Sequence, residues 1–196
     1  FMGAHAFPPE YIDKKDEYVG IICNEMIPRI SEEGLAVFCD VFCEDGYFSI
    51  KQTEKIFHSA LKFNLKLKIH ADEFIDMGAA SLAAEMGAVS ADHLMATGNK
   101  GKNDLADSDT IATLLPGTTF FLGKKSYVSG RELIEKGCEV AIASDFNPGS
   151  CTLQSMPNII FLSMMYCGLT LEEAFKACTY NAAKSISRES NIGVIK

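Results

Sequence analysis

Three of the four histidines, His5, His70 and His93, each stand beside the end of a short apolar run, and acids gather at the same places. His70-Ala71-Asp72-Glu73 follows one run and Asp92-His93 closes another. Asp145-Phe146-Asn147-Pro148-Gly149-Ser150 follows a third. Neutral imidazole and carboxylate are the ligands of hydrolytic zinc or iron sites, so three histidines and one aspartate brought together could hold a metal ion. Each group also has a plainer reading. A lone histidine at a strand end is commonly a hydrogen-bonded structural residue. Asp145-x-Asn147-Pro148-Gly149 is also turn chemistry: Asp and Asn bond their own backbone, Pro fixes φ and Gly permits positive φ. The fourth histidine, His58, falls mid-helix and reads as a surface or packing residue.

Convergence requires elements that bring these ends to one place. β-rich runs occur at Ala36–Cys43, Leu65–His70, Ala88–His93, Thr110–Leu115 and Glu139–Ser144, each short enough for a buried strand. Their starts are 22 to 29 residues apart, the length of a βα unit, which predicts a parallel sheet with right-handed crossovers. Phe1–Ala6 reads as a sixth strand. Helical spacing fills the gaps: Glu10 to Ile30, a helix opened by a Ser49/Gln52 capping box, one capped by Asp76 and stopped at Gly87, one from Ser129 to Gly137, and one from Leu171 to Ser185 behind Thr170 and Glu173. Lys100–Asp109 is polar and fits either a short helix or a loop. Two α/β architectures suit this order, an open doubly wound sheet or most of a (β/α)₈ barrel. No G-x-G-x-x-G follows any strand, which weighs against a nucleotide-binding open sheet. In a barrel the strand C-termini share one mouth, where active sites are built.

Alternation in the Leu65 run puts Lys66, Lys68 and His70 on one face. If His70 points into the barrel, so does Lys68, and a buried lysine must pair with an acid or lose its proton. Asp40 in the neighbouring strand is the partner this predicts.

Composition bounds the rest. Of 196 residues, 47 % are apolar and 22 % charged, as in a globular chain. The net charge of −8 opposes a nucleic-acid partner. The apolar runs fall well short of the roughly 20 residues that cross a bilayer, so no membrane is expected. The seven cysteines are odd in number and irregularly spaced, which argues against a disulfide framework and for a reducing cytoplasm. Cys39 and Cys43 read as buried apolar residues of a strand rather than as metal ligands.

Taken in order, Gly3-Ala4-His5-Ala6-x-Pro8-Pro9-Glu10-Tyr11, Asp40-Val41-Phe42-Cys43-Glu44, Lys68-x-His70-Ala71-Asp72-Glu73-Phe74, Ser90-Ala91-Asp92-His93-Leu94, Leu114-Leu115-Pro116-Gly117, Ser144-Asp145-Phe146-Asn147-Pro148-Gly149-Ser150, Ser155-Met156-Pro157 and Thr179-x-Asn181-Ala182-Ala183 resemble the imidazolonepropionases, a family of the metal-dependent amidohydrolase superfamily. The likeness runs along nearly the whole chain.

The resemblance implies a (β/α)₈ TIM barrel with a small β domain. It also implies hydrolysis of the ring of 4-imidazolone-5-propanoate to N-formimidoyl-L-glutamate in L-histidine degradation. One zinc or iron ion is implied, held by a His-x-His pair on the first strand, a His on the fifth and an Asp on the eighth; the last two match His70 and Asp145. Substrate contacts of the family match His5, Glu73, His93, Asn147, Gly149 and Ser150. On this reading Glu73 shuttles protons, His93 polarises the carbonyl, and Asp145 binds the ion and can take a proton from water. The sequence departs from the pattern in having no His-x-His. Residues 1–190 then correspond to a partial barrel of about strands three to eight, and 191–196 to the start of a return toward the small β domain. Such a partial barrel would expose two sheet edges, which invites pairing with another chain. The family resemblance suggests a homodimer. Two other readings stand beside it: a different amidohydrolase or deaminase that uses His93 as a ligand, and a folded fragment inactive for want of the His-x-His ligands.

Overall fold

The computed structural model describes residues 1–195. Five parallel strands form one sheet in the order β1 (Phe38–Cys43), β2 (Lys66–Ala71), β3 (Ser90–His93), β4 (Ile111–Leu114) and β5 (Val140–Ile142). An open doubly wound sheet reverses its strand order at a switch point; this sheet has no such reversal, and its sequential order is that of a barrel wall. Each strand lies within the run expected for it or one residue beyond.

The register sorts side chains between the two faces. Phe42 pairs with His70, Lys68 with Ser90, His70 with Asp92, and Asp92 with Thr113. These residues, with Asp40, share the polar inner face. Cys39, Val41, Leu67, Ile69 and Ala71 alternate with them and are buried in the apolar layer beneath the helices. Helix α3 (Ile50–Lys62) covers β1 and β2 with Ile56, Phe57 and Ala60, and burying each large side chain contributes roughly 1.5–3 kcal/mol. The Ser49/Gln52 capping box that starts α3 is present in full.

Several elements differ from the sequence reading. Phe1–Ala6 makes only a bridge, Ala4 to Val41, because Asp40 N bonds Phe1 O and Phe42 N bonds Ala4 O. The first segment advances three residues while β1 advances two, and that bulge-like offset breaks the ladder. The helix expected from Glu10 begins later. It runs as α1 (Lys15–Ile21), a π-helical turn over Ile22–Met26, and α2 (Ile27–Glu32). The helix runs on through these three pieces, and Pro28, which lacks the N–H that would bond back into the preceding turn, follows directly on the π-helical turn. Asp76 does not cap α4 (Ala79–Glu85): the cap position is Gly78 at φ +84°, and the carboxylate bonded to the first turn belongs to Asp72. Lys100–Asp109 resolves as a helix, α5 (Asn99–Ala106). Helix α6 (Pro116–Phe121) follows β4. Then comes α7 (Gly130–Lys136), opened by Ser129 and stopped at Gly137 with φ +103°.

Helix α8 (Met156–Tyr166) precedes the expected helix Leu171–Ser185, which divides at Thr179 into α9 (Leu171–Cys178) and α10 (Tyr180–Ser185). Residues 191–195 form turns and bends, and the strand expected there would include Lys196, outside the described residues. All seven cysteines are free, and burial pushes Cys39 up to about 12 and Cys43 to about 11, so both are inert thiols. His58 is exposed on α3, 3.9 Å from Glu54 one turn earlier. No helix among the described residues is long and apolar enough to cross a membrane.

Candidate active site

The C-terminal ends of β1, β2 and β3 bring His5, His70, His93 and Glu73 into one cluster. His70, the penultimate residue of β2, donates from Nδ1 to Asp40 Oδ1 at 2.9 Å. The same oxygen accepts from His5 Nε2 at 3.2 Å. The His5 and His70 rings meet edge to face at 4.6 Å, and the His70 and His93 rings lie 5.2 Å apart. His93 Nε2 is 3.7 Å from Glu73 Oε2. Asp145 follows β5 at φ +51°, and its Oδ2 accepts from Thr118 Oγ1 near the start of α6. It bonds neither His70 nor Glu73, but its charge acts on both.

Burial and neighbouring charge give these groups opposite tendencies. Burial alone would lower His70. The hydrogen bond and charge of Asp40, with the charges of Asp92 and Asp145, carry it instead to about 9. His93 is pushed down to about 3, first by burial and then by the nearby His70, so it is neutral at pH 7. Burial lifts Glu73 to about 7, with Asp145 and Glu44 adding to the rise and His70 and Lys124 opposing it. Asp40 is held well below the usual carboxylate range. Burial opposes ionisation there, but two imidazole hydrogen bonds outweigh it.

The donor set suits a metal ion. Asp40 occupies Nδ1 of His70 and leaves Nε2 as the atom that could meet a metal, in exchange for the proton it carries at pH 7 without one, the arrangement in which a carboxylate orients a ligating histidine. Thr118 takes one oxygen of Asp145 and leaves the other. Among the described residues, His5, Asp40 and His70 also offer ligand atoms within 4.8 Å of one another. There, however, the shared Asp40 oxygen already accepts two imidazole N–H groups. Its chemistry is that of an orienting acceptor, and Asp145 stands outside this group.

Asn147 does not project its amide from the loop. Its Nδ2 donates to Asp145 O and Ser150 Oγ, both at 2.8 Å, and its Oδ1 accepts from Gly149 N at 2.9 Å and Ser150 N at 2.7 Å. It therefore shapes the loop that carries Asp145, Gly149 and Ser150, as an Asx turn does. The expected Lys68–Asp40 pair is absent. Lys68 Nζ lies 3.8 Å from Asp92 Oδ2 and donates to Ser90 Oγ and Ser185 O. Asp40 is occupied by two imidazoles, so the lysine turns to the acid on its other flank.

Thr118 and the buried acids Glu44 and Asp72 also serve the site, although nothing in their spacing marks a role for them. Glu44 Oε2 accepts from Phe74 N at 2.8 Å and Asp72 caps α4, so both brace the loop around Glu73. The one signal for the two acids is their place directly after apolar strands, in Cys43-Glu44 and Ala71-Asp72.

A model of the Amidohydrolase family matches residues 44–196. The chain belongs to the amidohydrolase family. Along its whole length this amidohydrolase is 45 % identical to the imidazolonepropionase of Alkaliphilus oremlandii and 47 % identical to that of Bacteroides thetaiotaomicron. It covers 46 % of the first and 47 % of the second, so it spans about half the length of the curated relatives it matches. An adenosine deaminase from Xanthomonas campestris with bound zinc superposes with a TM-score of 0.72 at 16 % identity, over 99 % of this chain and 49 % of that one. A 5-methylcytosine deaminase from Klebsiella pneumoniae gives 0.73 at 18 % identity, over 97 % and 53 %. These two likenesses establish the fold, a portion of the amidohydrolase barrel. The family is metal-dependent.

Proposed function

We propose that this chain carries the His70, Glu73, His93 and Asp145 portion of an imidazolonepropionase, which hydrolyses 4-imidazolone-5-propanoate to N-formimidoyl-L-glutamate in L-histidine degradation. The observation that carries the reading is the likeness of the whole of this chain to about half the length of curated imidazolonepropionases, at about 45 % identity. The clustering of His5, His70, Glu73 and His93 supports it, with the charge of Asp145 acting on His70 and Glu73.

His70 Nε2 and a carboxylate oxygen of Asp145 would hold one zinc or iron ion. When bound, such an ion supplies Lewis-acid polarisation and makes water acidic enough to react near neutral pH. Glu73, with a pKa of about 7, exchanges protons at neutral pH without a large energetic penalty, as a general acid–base should. It takes a proton from water as the ring carbonyl is attacked and returns one to the departing ring nitrogen. His93 is neutral at this pH and meets the oxygen on which charge develops through a ring N–H. His5 and the backbone and hydroxyl of Gly149 and Ser150 orient the ring and its side chain, while Asn147 keeps their loop in shape. The substrate is a small molecule, the seven free cysteines suit a cytoplasmic setting, and the family likeness points to a homodimer.

The test is incubation of the zinc- or iron-loaded chain, and of the longest polypeptide its gene encodes, with 4-imidazolone-5-propanoate. Mass spectrometry should find a product heavier by one water. Ammonia release from an aminated heterocycle with the imidazolone untouched would assign a deaminase instead. Turnover by the longer polypeptide alone would show that ligands beyond the four histidines of this chain are needed.

A further inference from the structure

Asp72 lies between His70 and Glu73 in sequence, yet its carboxylate is fully buried and serves two other segments, 77–80 and Thr97. Oδ1 accepts from Met77 N at 3.0 Å and Ala79 N at 3.1 Å. Oδ2 accepts from Ala80 N and Thr97 Oγ1, both at 3.1 Å. The Asp72 carbonyl accepts from Ala96 N at 2.8 Å, and the preceding Ala71 carbonyl from Leu94 N at 3.1 Å.

Backbone strain is concentrated where these bonds meet. Asp72 has φ +49°, His93 +78° and Leu94 +63°. Left-handed conformations at non-glycine residues cost on the order of 1 kcal/mol each and persist only where the surroundings over-determine them. Here the over-determining bonds run between the loop after β2 and the loop after β3, and most of them end on Asp72. From the other flank, Glu44 Oε2 accepts from Phe74 N at 2.8 Å. Glu73 is thus fixed on both sides, and His93 is locked into the loop tied to Asp72.

We infer that Asp72 is a positioning residue that sets the separation of Glu73 and His93 by bonding their two loops together through Thr97 and Ala96. It touches no substrate. Its kinetic consequence rests on the function proposed above, whereas its geometric consequence does not.

The test compares Asp72→Asn, Thr97→Val, Thr97→Ser and, as a control for plain destabilisation, Leu133→Ala on α7. Asp72→Asn should lower kcat about 10²-fold, the cost of a misplacement near 1 Å, and leave KM nearly unchanged. Thr97→Val should shift kcat in the same direction by less, and Thr97→Ser should restore it. Leu133→Ala should lower Tm without moving kcat. The ¹⁵N shifts of the His93 ring should change in Asp72→Asn and Thr97→Val and not in Leu133→Ala or Thr97→Ser. Values of kcat that track Tm across all four variants, or an unchanged His93 ring in Thr97→Val, would overturn the inference. If neither this chain nor the longer polypeptide turns over the imidazolone, the proposed function fails, and the ring shifts alone decide the role of Asp72; if the longer polypeptide alone is active, the kinetic comparison is made in it. Thr97→Val keeps the size and burial of the side chain, so it remains informative if Asp72→Asn does not fold.

Discussion

Asp40 decides which nitrogen of His70 is left for chemistry: its Oδ1 lies 2.9 Å from Nδ1, so Nε2 alone could meet a metal. Carboxylates that orient ligating histidines in this way typically change metal affinity 10–100-fold when removed. Asp40→Ala should therefore weaken zinc binding by about that factor in a calorimetric titration. Asp40→Asn, whose amide oxygen still accepts from the ring, should weaken it less. Equal affinities for Asp40→Ala and the unsubstituted chain would remove the orienting role.

Glu73 is buried and lies 3.7 Å from His93, with a pKa of about 7. Replacing it by glutamine keeps the shape and removes the exchangeable proton. In a polypeptide that turns over the imidazolone, Glu73→Gln should lower kcat about 10²–10⁴-fold with a small change in KM. Near-normal kcat would take Glu73 out of proton transfer.

Much of the site was legible because strand periodicity is strict. Alternation alone put Lys68 and His70 on one face, and the register confirms it. The spacing of βα units predicted a parallel sheet whose ends collect the polar residues. Pairing was less legible. Lys68 lies between strands that each carry an inward acid, Asp40 and Asp92. The choice is made by His5, whose segment reads as a strand but makes only a bridge to β1, and which reaches Asp40 only once the chain has folded. The cap of α4 failed for a similar reason: Asp76 stands at cap spacing in sequence, but Asp72 reaches the same N–H groups from seven residues away. The π-helical turn at Ile22–Met26 widens a helix whose side-chain spacing hardly changes, so periodicity did not reveal it.

The raised pKa of Glu73 also has a consequence for stability. The carboxyl ionises near 4.5 when unperturbed and near 7 in the fold. Between those values the folded chain binds the extra proton, so the stability linked to this group is intact below pH 4.5 and is lost as pH rises through 7. The cost at high pH has a ceiling of roughly 3 kcal/mol. Glu73→Gln should match the unsubstituted chain in urea unfolding at pH 4 and exceed it in stability at pH 8. A difference that does not grow with pH would show that Glu73 is not held protonated by its surroundings.

The Lys68–Asp92 pair is mostly shielded from water, with side chains 16 % and 11 % exposed. Removing one partner of such a pair leaves an uncompensated charge and typically costs 3–5 kcal/mol. Lys68→Met should therefore be strongly destabilising, although methionine fills similar space. Asp92 retains the hydrogen bond from Ser90 Oγ at 2.7 Å, but one hydroxyl does not replace an ammonium as counter-charge. Lys68→Met combined with Asp92→Asn removes the stranded charge and should recover about half of the loss, giving a coupling above about 1 kcal/mol in a double-mutant cycle. Additive costs in urea unfolding would mean that Ser90 and the Ser185 carbonyl, rather than Asp92, hold the lysine inside the sheet.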